Sequence, residues 1–320
     1  MAGFQQLRVT REVNFVGAIK KGLGTYDIPG RVYYVNNITG SSANNGLTWD
    51  TAMDEVSTAI TASEAYRQLQ GTDTNDYIRN TIVVQGTGTA YTQLTALPSY
   101  CDVIGLGGDP RGNGSGIARI GPDEDGEGAV DGVNADACRG SNFYNLQFQA
   151  GSVKTAFDCD KMFRCRIENC GFMGNLDATS PSAGLLIGTT GTWGFGASGL
   201  VIKDCLFGTS YASNFTTGIS LAGTHFHNCV IENCVITGTT GILVASVCTA
   251  AYGTVVRDNT IISGYAAQTA SLNDDATEGH IAYVNNLCQI KPTMANAAST
   301  RSFGNVVADE TAFTGGFSNS

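Results

Sequence analysis

Several carboxylates in this chain have the type and spacing of residues that carry acid–base chemistry. Asp158 and Asp160 alternate along an apolar segment, so both would face the same side of a strand. If folding brought Glu168, Asp177 or Asp204 beside them, the group could form the paired carboxyl groups of a glycoside hydrolase. The simpler interpretation, which the sequence favours, is that carboxylates at turns cap the backbone and those on strands solvate the surface.

Two further groups have side chains that bind metals. His225 and His227 alternate in the segment that ends at Cys229, so a strand would place both imidazoles on one face. Two ligands do not complete a site, and a surface pair of histidines is the simpler interpretation. The acidic stretch 123–131 resembles half of a calcium loop, but Asn134 stands where an EF-hand has its last glutamate. We therefore predict no catalytic, cofactor-binding or metal-binding residues, and leave a loose calcium site in 123–131 open.

The overall charge argues against several classes of partner. The chain has 28 acidic and 18 basic side chains, a formal net charge of −10, and no block of Lys and Arg. Binding to nucleic-acid phosphates requires clustered basic residues, so we expect no nucleic-acid partner. No stretch approaches the roughly 18 consecutive apolar residues of a membrane span. Charge appears at Arg8 before any apolar run of signal-peptide length, so we expect synthesis in a cytoplasm and release by another route, such as assembly into a particle.

A short phrase recurs through the second half of the chain and would position these residues. Its clear copies occupy 166–172, 201–207, 230–236 and 255–261, and weaker copies occupy 143–148 and 282–287. In the clear copies the alternation of apolar residues breaks at Asn169, Asp204, Asn233 and Asp258. Asn and Asp tolerate the left-handed backbone better than other non-glycine residues. Each copy is therefore predicted to be two short strands joined by a one-residue corner.

The spacing of the corners predicts the fold class. Successive corners are 35, 29 and 25 residues apart, which is typical of stacked repeats that bury their apolar sides against one another. Such a unit has no room for the helical crossover of about a dozen residues that joins parallel strands in a βαβ unit. We therefore predict an all-β chain that forms a single-stranded parallel β-helix, in which equivalent residues of successive coils stack in rows.

The ten cysteines are predicted to be free thiols inside this stack. Cys170, Cys205 and Cys234 occupy the same place in the repeat, directly after the corner. Residues at one place in the repeat stack along the helix axis, so these three would form a column of small buried side chains. The spacing contains no zinc-binding pattern. Synthesis in a cytoplasm also favours free thiols over structural disulfides, which are the alternative.

The remaining segments indicate how the β-helix begins and ends. Residues 1–30 lack the repeat and are interpreted either as an arm that docks on another protein or as a frayed terminus. Residues 31–74 would hold a strand, a turn-rich loop and a helix over 51–70 that opens with a capping-box pattern. We expect this helix to cover the open end of the β-helix. The β-helix would span 75–310, followed by a flexible tail over 311–320.

The order of motifs near the start resembles that of the pectin-lyase-like β-helix proteins. It runs through Tyr33-Tyr34-Val35-Asn36, Trp49-Asp50-Thr51-Ala52, the predicted helix, Ile82-Val83-Val84 and Val103-Ile104-Gly105. The resemblance covers roughly residues 31–290 and implies a right-handed parallel β-helix with a short N-terminal capping α-helix. Versions with this Trp-Asp-x-Ala step are common among bacteriophage virion proteins such as tailspikes and fibres.

The enzymes of this family imply motifs that the chain does not carry. The lyases use calcium held by aspartates together with a basic residue that accepts a proton. The related hydrolases use clustered aspartates beside a Gly-His-Gly turn. Here the adjacent aspartates are Asp274 and Asp275, and Glu278-Gly279-His280 departs from the turn. Since the fold also serves adhesins and structural parts, fold alone does not assign an activity.

We therefore expect a structural or adhesive component of a bacteriophage virion, namely a head fibre, capsid decoration or short tailspike, without catalysis. The resemblance implies a homotrimer, and residues 1–30 would contact other virion proteins. A host surface glycan is a further expected partner, which rings such as Trp193 and Phe195 would contact unless both pack beneath their loop. The alternative is a polysaccharide-degrading tailspike enzyme, a lyase or glycoside hydrolase, which a cleft with clustered carboxylates would favour.

Overall fold

The chain forms short parallel strands in four sheets, called sheets A to D here. The computed structural model describes residues 29–69, 78–112, 114–122, 130–174, 181–188, 195–208, 215–262, 268–277, 281–290, 292–294 and 301–308. Among them, an α-helix, α1, spans Val56–Leu69 and a 3₁₀ turn spans Trp49–Thr51. Strands are numbered β1 to β29 in chain order.

Sheets A and B are the two longest. Sheet A contains, in order, β1 (Pro29–Val35), β2 (Arg79–Gln85), β3 (Cys101–Leu106), β7 (Asn142–Tyr144), β11 (Arg166–Glu168), β15 (Val201–Lys203), β19 (Val230–Glu232), β22 (Val255–Arg257), β25 (Ala282–Val284) and β28 (Arg301–Phe303). Sheet B contains β4 (Arg119–Ile120), β8 (Gln147–Ala150), β12 (Gly171–Gly174), β16 (Leu206–Phe207), β20 (Val235–Thr237), β23 (Thr260–Ile262), β26 (Leu287–Cys288) and β29 (Val306–Val307).

Sheet C forms a third face of the stack, and sheet D adds a fourth strand to several coils. Sheet C contains β5 (Val133–Ala135), β9 (Thr155–Cys159), β13 (Ala183–Ile187), β17 (Thr217–Leu221), β21 (Thr240–Val244), β24 (Ala270–Asp274) and β27 (Thr293–Met294). Sheet D contains β6 (Cys138–Arg139), β10 (Met162–Phe163), β14 (Phe195–Ser198) and β18 (His225–His227).

A single coil illustrates the path of the chain. It runs through β7 in sheet A, β8 in sheet B, β9 in sheet C and β10 in sheet D, and β11 then begins the next coil in sheet A. Each strand pairs in parallel with the equivalent strands of the neighbouring coils, so that Ile167, for example, lies between Phe143 and Ile202. The prediction of an all-β chain that forms a single-stranded parallel β-helix is confirmed.

The predicted corners form one row between sheets A and B. The residues in this row are Asn145, Asn169, Asp204, Asn233, Asp258 and Asn285, with φ between 51° and 56°. The backbone amide of each donates to the next coil, as Asn169 N does to Lys203 O at 3.1 Å. Side chains also bridge coils, since Asn169 Nδ2 donates to Asn145 Oδ1 at 3.0 Å. The break in alternation is therefore a left-handed corner, as predicted.

A second row of left-handed residues joins sheet D to sheet A and was not predicted. It consists of Tyr100, Gly140, Arg164, Gly199, Asn228 and Gly253, with φ between 50° and 71°. Glycine is required at Gly140, because a Cβ there would lie 2.6 Å from the Tyr100 ring. The other members differ in type from coil to coil, so no recurring phrase marks this corner in the sequence.

The cysteine column is confirmed. Cys170, Cys205 and Cys234 are buried directly after the first corner, and their thiols donate to carbonyls two residues earlier, at 3.4, 3.1 and 3.2 Å. All ten cysteines of the chain are buried and free. Beside this column, the rings of Phe172 and Phe207 stack at a centroid distance of 4.3 Å, nearly parallel.

Asparagines replace cysteine in the later coils of the same column. Asn259, Asn286 and Asn305 are buried, and each is hydrogen-bonded to its neighbour in the stack. The row connects to the cysteines through Cys234 N, which donates to Asn259 Oδ1 at 2.9 Å. Buried amides are stable only when their donors and acceptors are paired, so this ladder is a specific feature of the stack.

Helix α1 covers the first coils. Val56 and Ile60 are buried, and the helix packs on β1 and β2. Asn80 Nδ2 ties the two parts together by donating to Ser63 Oγ at 2.9 Å and to Ser63 O at 3.0 Å. The helix therefore occupies the position of an N-terminal cap, as the sequence predicts.

The predicted start of this helix was wrong by five residues. The predicted capping box over 51–54 does not open the α-helix; the capping box of the structure joins Thr48 and Thr51 and opens the 3₁₀ turn Trp49–Thr51. Met53 N donates to Tyr34 O at 2.9 Å, and Met53 O accepts from Asn36 N at 2.8 Å. Because these bonds hold residue 53 against the end of β1, the helix begins only at Val56.

The two ends of the chain fall mostly outside the described residues. The predicted arm 1–30 and the predicted tail 311–320 lie there, except that Pro29 and Gly30 begin β1. Because β1 pairs in parallel with β2, sheet A starts before residue 75. No helix in the described part of the chain has the length and apolar character needed to cross a membrane.

Candidate binding groove

A groove of about 590 Å³ lies over sheet D and the second corner. Its described lining consists of Arg139, Phe163, Arg164, Ala197, Ser198, His225 and His227. Strand register aligns one residue from each of four successive coils in this groove, namely Arg139, Phe163, Ser198 and His227. None of the seven described lining residues is acidic, although the chain as a whole is strongly negative.

The histidine pair lies at one end of this groove. His225 and His227 flank the buried Phe226, and their rings are 5.6 Å apart, so the prediction that they share a face is confirmed. The His227 ring stacks on Tyr252 at 5.5 Å with an interplanar angle of 7°. His225 Nδ1 is hydrogen-bonded to Thr224 Oγ1 at 2.7 Å. These contacts fix the orientation of both imidazoles.

Two arginines occupy the other end. Arg139 is exposed, and its guanidinium lies 5.6 Å from the centroid of the Tyr100 ring, within the range of a cation–π contact. Arg164 is exposed as well and stands at the second corner with φ 52°. Neither arginine was recognised from the sequence, because each lies far from the other lining residues along the chain and only strand register brings them together.

The candidate carboxylate Asp158 lies on sheet C. Burial, together with the nearby charges of Asp131 and Asp160, raises the pKa of Asp158 to about 6. Asp160 follows the end of β9, and burial raises its pKa as well. Asp131 is engaged by the next coil, since its Oδ1 accepts from Thr155 N, at the start of β9, at 2.8 Å. A carboxyl group that holds its proton near neutral pH is chemically capable of acting as a general acid.

The structure does not bring the other candidate carboxylates to Asp158. Glu168 lies in sheet A, where its Oε2 accepts from Arg166 Nε at 2.5 Å. Asp204 lies in the first corner and accepts a hydrogen bond from Asn233. Both positions belong to other faces of the coil than sheet C, and Asp177 lies outside the described residues.

The adjacent aspartates do not form a paired site either. Asp274 ends β24 and is buried, with its Oδ2 accepting from Tyr283 Oη at 3.1 Å. Asp275 follows it and accepts from Asn273 Nδ2 at 3.0 Å. Burial and the neighbouring Asp274 raise the pKa of Tyr283 well above its ordinary value. The two carboxylates therefore have separate partners, one of them in the core.

Several sequence candidates fall outside the described residues. These are Trp193, Glu278-Gly279-His280 and 123–129 of the acidic loop. Phe195 is the first residue of β14. Among the described side chains, no group of three or more His, Cys, Asp or Glu residues is arranged to hold a metal ion.

A second cavity of about 650 Å³ lies beside the capping segment. It is lined by Asn36, Thr39, Trp49, Asp50 and Gln85. The Trp49 ring packs against Tyr34 at a centroid distance of 4.7 Å. The Trp-Asp step that supported the family resemblance therefore braces the loop against β1.

The comparisons with known proteins do not assign a role to the groove or to the carboxylates, so both are interpreted from their own chemistry. No protein-family model, curated protein or solved structure was found to match this chain.

Proposed function

We propose that this protein is a structural or adhesive component of a bacteriophage virion, such as a head fibre, capsid decoration or short tailspike, and that it acts as a homotrimer without catalysis. The observation that carries the proposal is an apolar row on the outer face of a regular stack of coils. In this proposal the coils form a rigid stalk, the outer row joins three copies, and residues 1–30 attach the stalk to other virion proteins.

The outer row runs along sheet B near the C-terminal coils. Strand register aligns Leu206, Val235, Thr260, Leu287 and Val306 along it. Val235, Leu287 and Val306 are 39%, 40% and 48% exposed. Parallel sheets are usually covered on both faces, and aligned exposed apolar residues mark interaction surfaces. A second and a third copy of the chain are the proposed cover.

Light scattering on the purified chain tests the assembly. We expect three times the 33.4 kDa mass of one chain. Leu287→Asp would place a charge in each interface and shift the mass toward that of a monomer. Leu106→Asp is the matched control, because Leu106 is also 40% exposed but lies in sheet A. A monomeric wild-type chain at micromolar concentration would refute the trimer.

Deletion of residues 1–28, which leaves β1 intact, tests the attachment. We expect the shortened chain to keep its oligomeric state, because the outer row on sheet B remains, but to be lost from purified particles. Full incorporation of the shortened chain would refute the role of the arm.

The second candidate function is glycan cleavage, and Asp158 is the observation that favours it. Its raised pKa, near Asp131 and Asp160, gives it the protonation behaviour of a general acid. Incubation of the protein with host surface polysaccharide would then release new reducing ends or unsaturated products. Turnover that disappears in Asp158→Asn, but persists in a control such as Asp50→Asn, would replace the structural proposal by the enzymatic one.

A further inference from the structure

The last described coil ends in a strand edge that no described residue covers. Helix α1 covers the first coils, whereas β28 and β29 stand at the ends of sheets A and B with no described strand beyond them. Phe303 in β28 is 55% exposed, and Val306 in β29 is 48% exposed. Unpaired strand edges pair readily with other chains, so natural proteins cover or interrupt them. A covering segment is therefore expected at this end.

The asparagine ladder shows what such a cover must supply. Along this column the backbone amide of each coil donates to the side chain of the next. Cys234 N donates to Asn259 Oδ1 at 2.9 Å, and Asn259 N donates to Asn286 Oδ1 at 3.1 Å. Asn286 N in turn donates to Asn305 Oδ1 at 2.8 Å. The series stops at the buried Asn305, whose own N–H has no acceptor among the described residues. Because buried N–H groups are almost always paired, the cover must place an oxygen opposite Asn305 N.

The first corner makes a second demand. Each corner amide donates to the carbonyl that precedes the corner of the next coil, as Asn285 N does to Phe303 O at 2.9 Å. Gly304 continues this row with φ 63°, and its amide also has no acceptor among the described residues. Gly304 and Asn305 therefore present two consecutive donors to whatever follows. The cover must offer a backbone carbonyl to the first and, two residues later, a side-chain oxygen to the second.

Residues 317–319 have the sequence that this position requires. The last described coil contains Phe303-Gly304-Asn305, and Phe317-Ser318-Asn319 follows 14 residues later. From Cys234 to Asn305 the members of the column are 25, 27 and 19 residues apart, so the interval has already shortened at this end. Ser318 is a departure, since the earlier corners carry Asn, Asp or Gly. The aromatic residue and the asparagine both fall in place.

The chain is long enough to return to this edge. Residues 309–316 join the end of the described chain to Phe317, and eight extended residues span up to about 26 Å. Packed sheets lie only about 10 Å apart, so this segment can cross the open end instead of following a full coil. Phe313 would then lie over the core, where Tyr283 and Cys288 are buried in the preceding coil.

We propose that residues 316–320 form a further rung that closes this end of the β-helix. Asn319 Oδ1 accepts from Asn305 N, and Phe317 O accepts from Gly304 N. The occupant of the edge is the chain's own segment, which blocks the edge to a second copy. Residues 316–320 then belong to the stack, in place of the flexible tail expected from the sequence. The inference goes beyond the proposed virion role and does not depend on it.

Disulfide trapping in the full chain tests the register. The double variant Phe303→Cys, Phe317→Cys places two thiols on neighbouring strands, about 4.8 Å apart at their Cα atoms, which suits a disulfide. The ten native cysteines are buried and do not compete. Phe303→Cys, Phe313→Cys is the matched control, because a free tail would bring residue 313 to the edge as readily as residue 317.

In a buffer of reduced and oxidised glutathione, we expect the first pair to form a disulfide within one chain at least fivefold faster than the control pair. Equal rates would overturn the docked rung. Disulfides between chains, in place of the bond within one chain, would overturn the chain's own segment as the occupant and assign the edge to a second copy.

Hydrogen exchange tests the ladder separately. Mass spectrometry of peptides that contain Gly304 and Asn305 reports how fast their amides exchange in the full chain. We expect Asn319→Ala to speed this exchange about tenfold or more, because the Asn305 amide loses its acceptor. Ser320→Ala is the matched control and should leave the exchange unchanged. Equal exchange in the two variants would overturn the role of Asn319. Neither measurement depends on the trimer mass or on the particle location, which test the proposed function.

Discussion

Replacement of Asn286 by alanine is expected to weaken the β-helix strongly. Asn286 is 1% exposed and takes part in four side-chain hydrogen bonds. Its Oδ1 accepts from Asn259 N at 3.1 Å and from Asn259 Nδ2 at 3.0 Å. Its Nδ2 donates to Val256 O at 3.0 Å and to Asn305 Oδ1 at 2.8 Å. Alanine removes all four bonds and leaves their partners buried.

The magnitude follows from the number of partners that remain unpaired. A hydrogen bond contributes about 1 kcal/mol net, and a buried donor or acceptor without a partner costs about 1–3 kcal/mol. The three bonded neighbours share some of this cost by relaxing, so we expect Asn286→Ala to lower the free energy of unfolding by about 3–5 kcal/mol. An effect of this size would come from the ladder and not from lost apolar contact, since the side chain is polar.

Urea unfolding followed by circular dichroism measures the effect. Asn134→Ala is the control, because Asn134 is exposed on sheet C and donates one hydrogen bond, to Asp131 at 3.2 Å. We expect that variant to change the free energy of unfolding by less than about 1 kcal/mol. A loss at Asn286 no larger than the loss at Asn134 would contradict the account of the ladder.

Three further predictions concern the corners, the thiols and the acid group. Asn233→Gly should leave the urea midpoint nearly unchanged. Asn233→Val should destabilise the protein by about 1–2 kcal/mol, because a branched side chain disfavours positive φ. Equal midpoints in the two variants would contradict the left-handed corner. Burial raises the pKa of the Cys101, Cys159 and Cys288 thiols to about 12, so a colorimetric thiol reagent at pH 8 should label them only after unfolding; rapid labelling of the native protein would contradict their burial. Because the folded pKa of Asp158 is raised to about 6, its contribution to stability is full below about pH 4 and is lost as the pH rises through about 6. The free energy of unfolding should fall over that interval by up to about 3 kcal/mol, and Asp158→Asn should flatten the fall. An identical pH profile in the variant would contradict the shift.

The first corner was predictable because its chemistry is local. Asn169 and Asp204 interrupt a two-residue alternation, and both belong to the few residue types that accept a positive φ. The same interruption recurs at a spacing that only stacked coils satisfy. The cysteine column followed from this, since residues at one place in the repeat must stack. The strand register, the first corner and the cysteine column can therefore all be predicted from a single recurring sequence motif.

The second corner and the asparagine ladder were not predictable in the same way. Arg164 and Asn228 share a backbone conformation with glycines, so residue type does not mark the position. Asn259 and Asn286 occupy the cysteine place in the repeat, but asparagine near a turn is usually exposed. Their burial becomes favourable only because the neighbouring coils supply partners, and that depends on the complete stack.

The candidate groove was only half predictable. His225 and His227 are two residues apart, so strand alternation alone places them on one face. Arg139 lies in the same groove only because three successive parallel strand pairings align it with His227. No local sequence pattern predicts this alignment. The candidate carboxylates show that closeness in sequence does not place residues together, because Asp158 and Glu168 are ten residues apart and lie in different sheets.

The location of the chain in a purified particle tests the central claim most directly. Electron microscopy of phage particles labelled with an antibody against the coils should show the label on the outside of the particle. We expect the label at discrete points, each with three copies of the chain. Particles that carry no label, with the protein recovered only from the surrounding medium, would contradict the proposal that this β-helix is a structural or adhesive part of a virion.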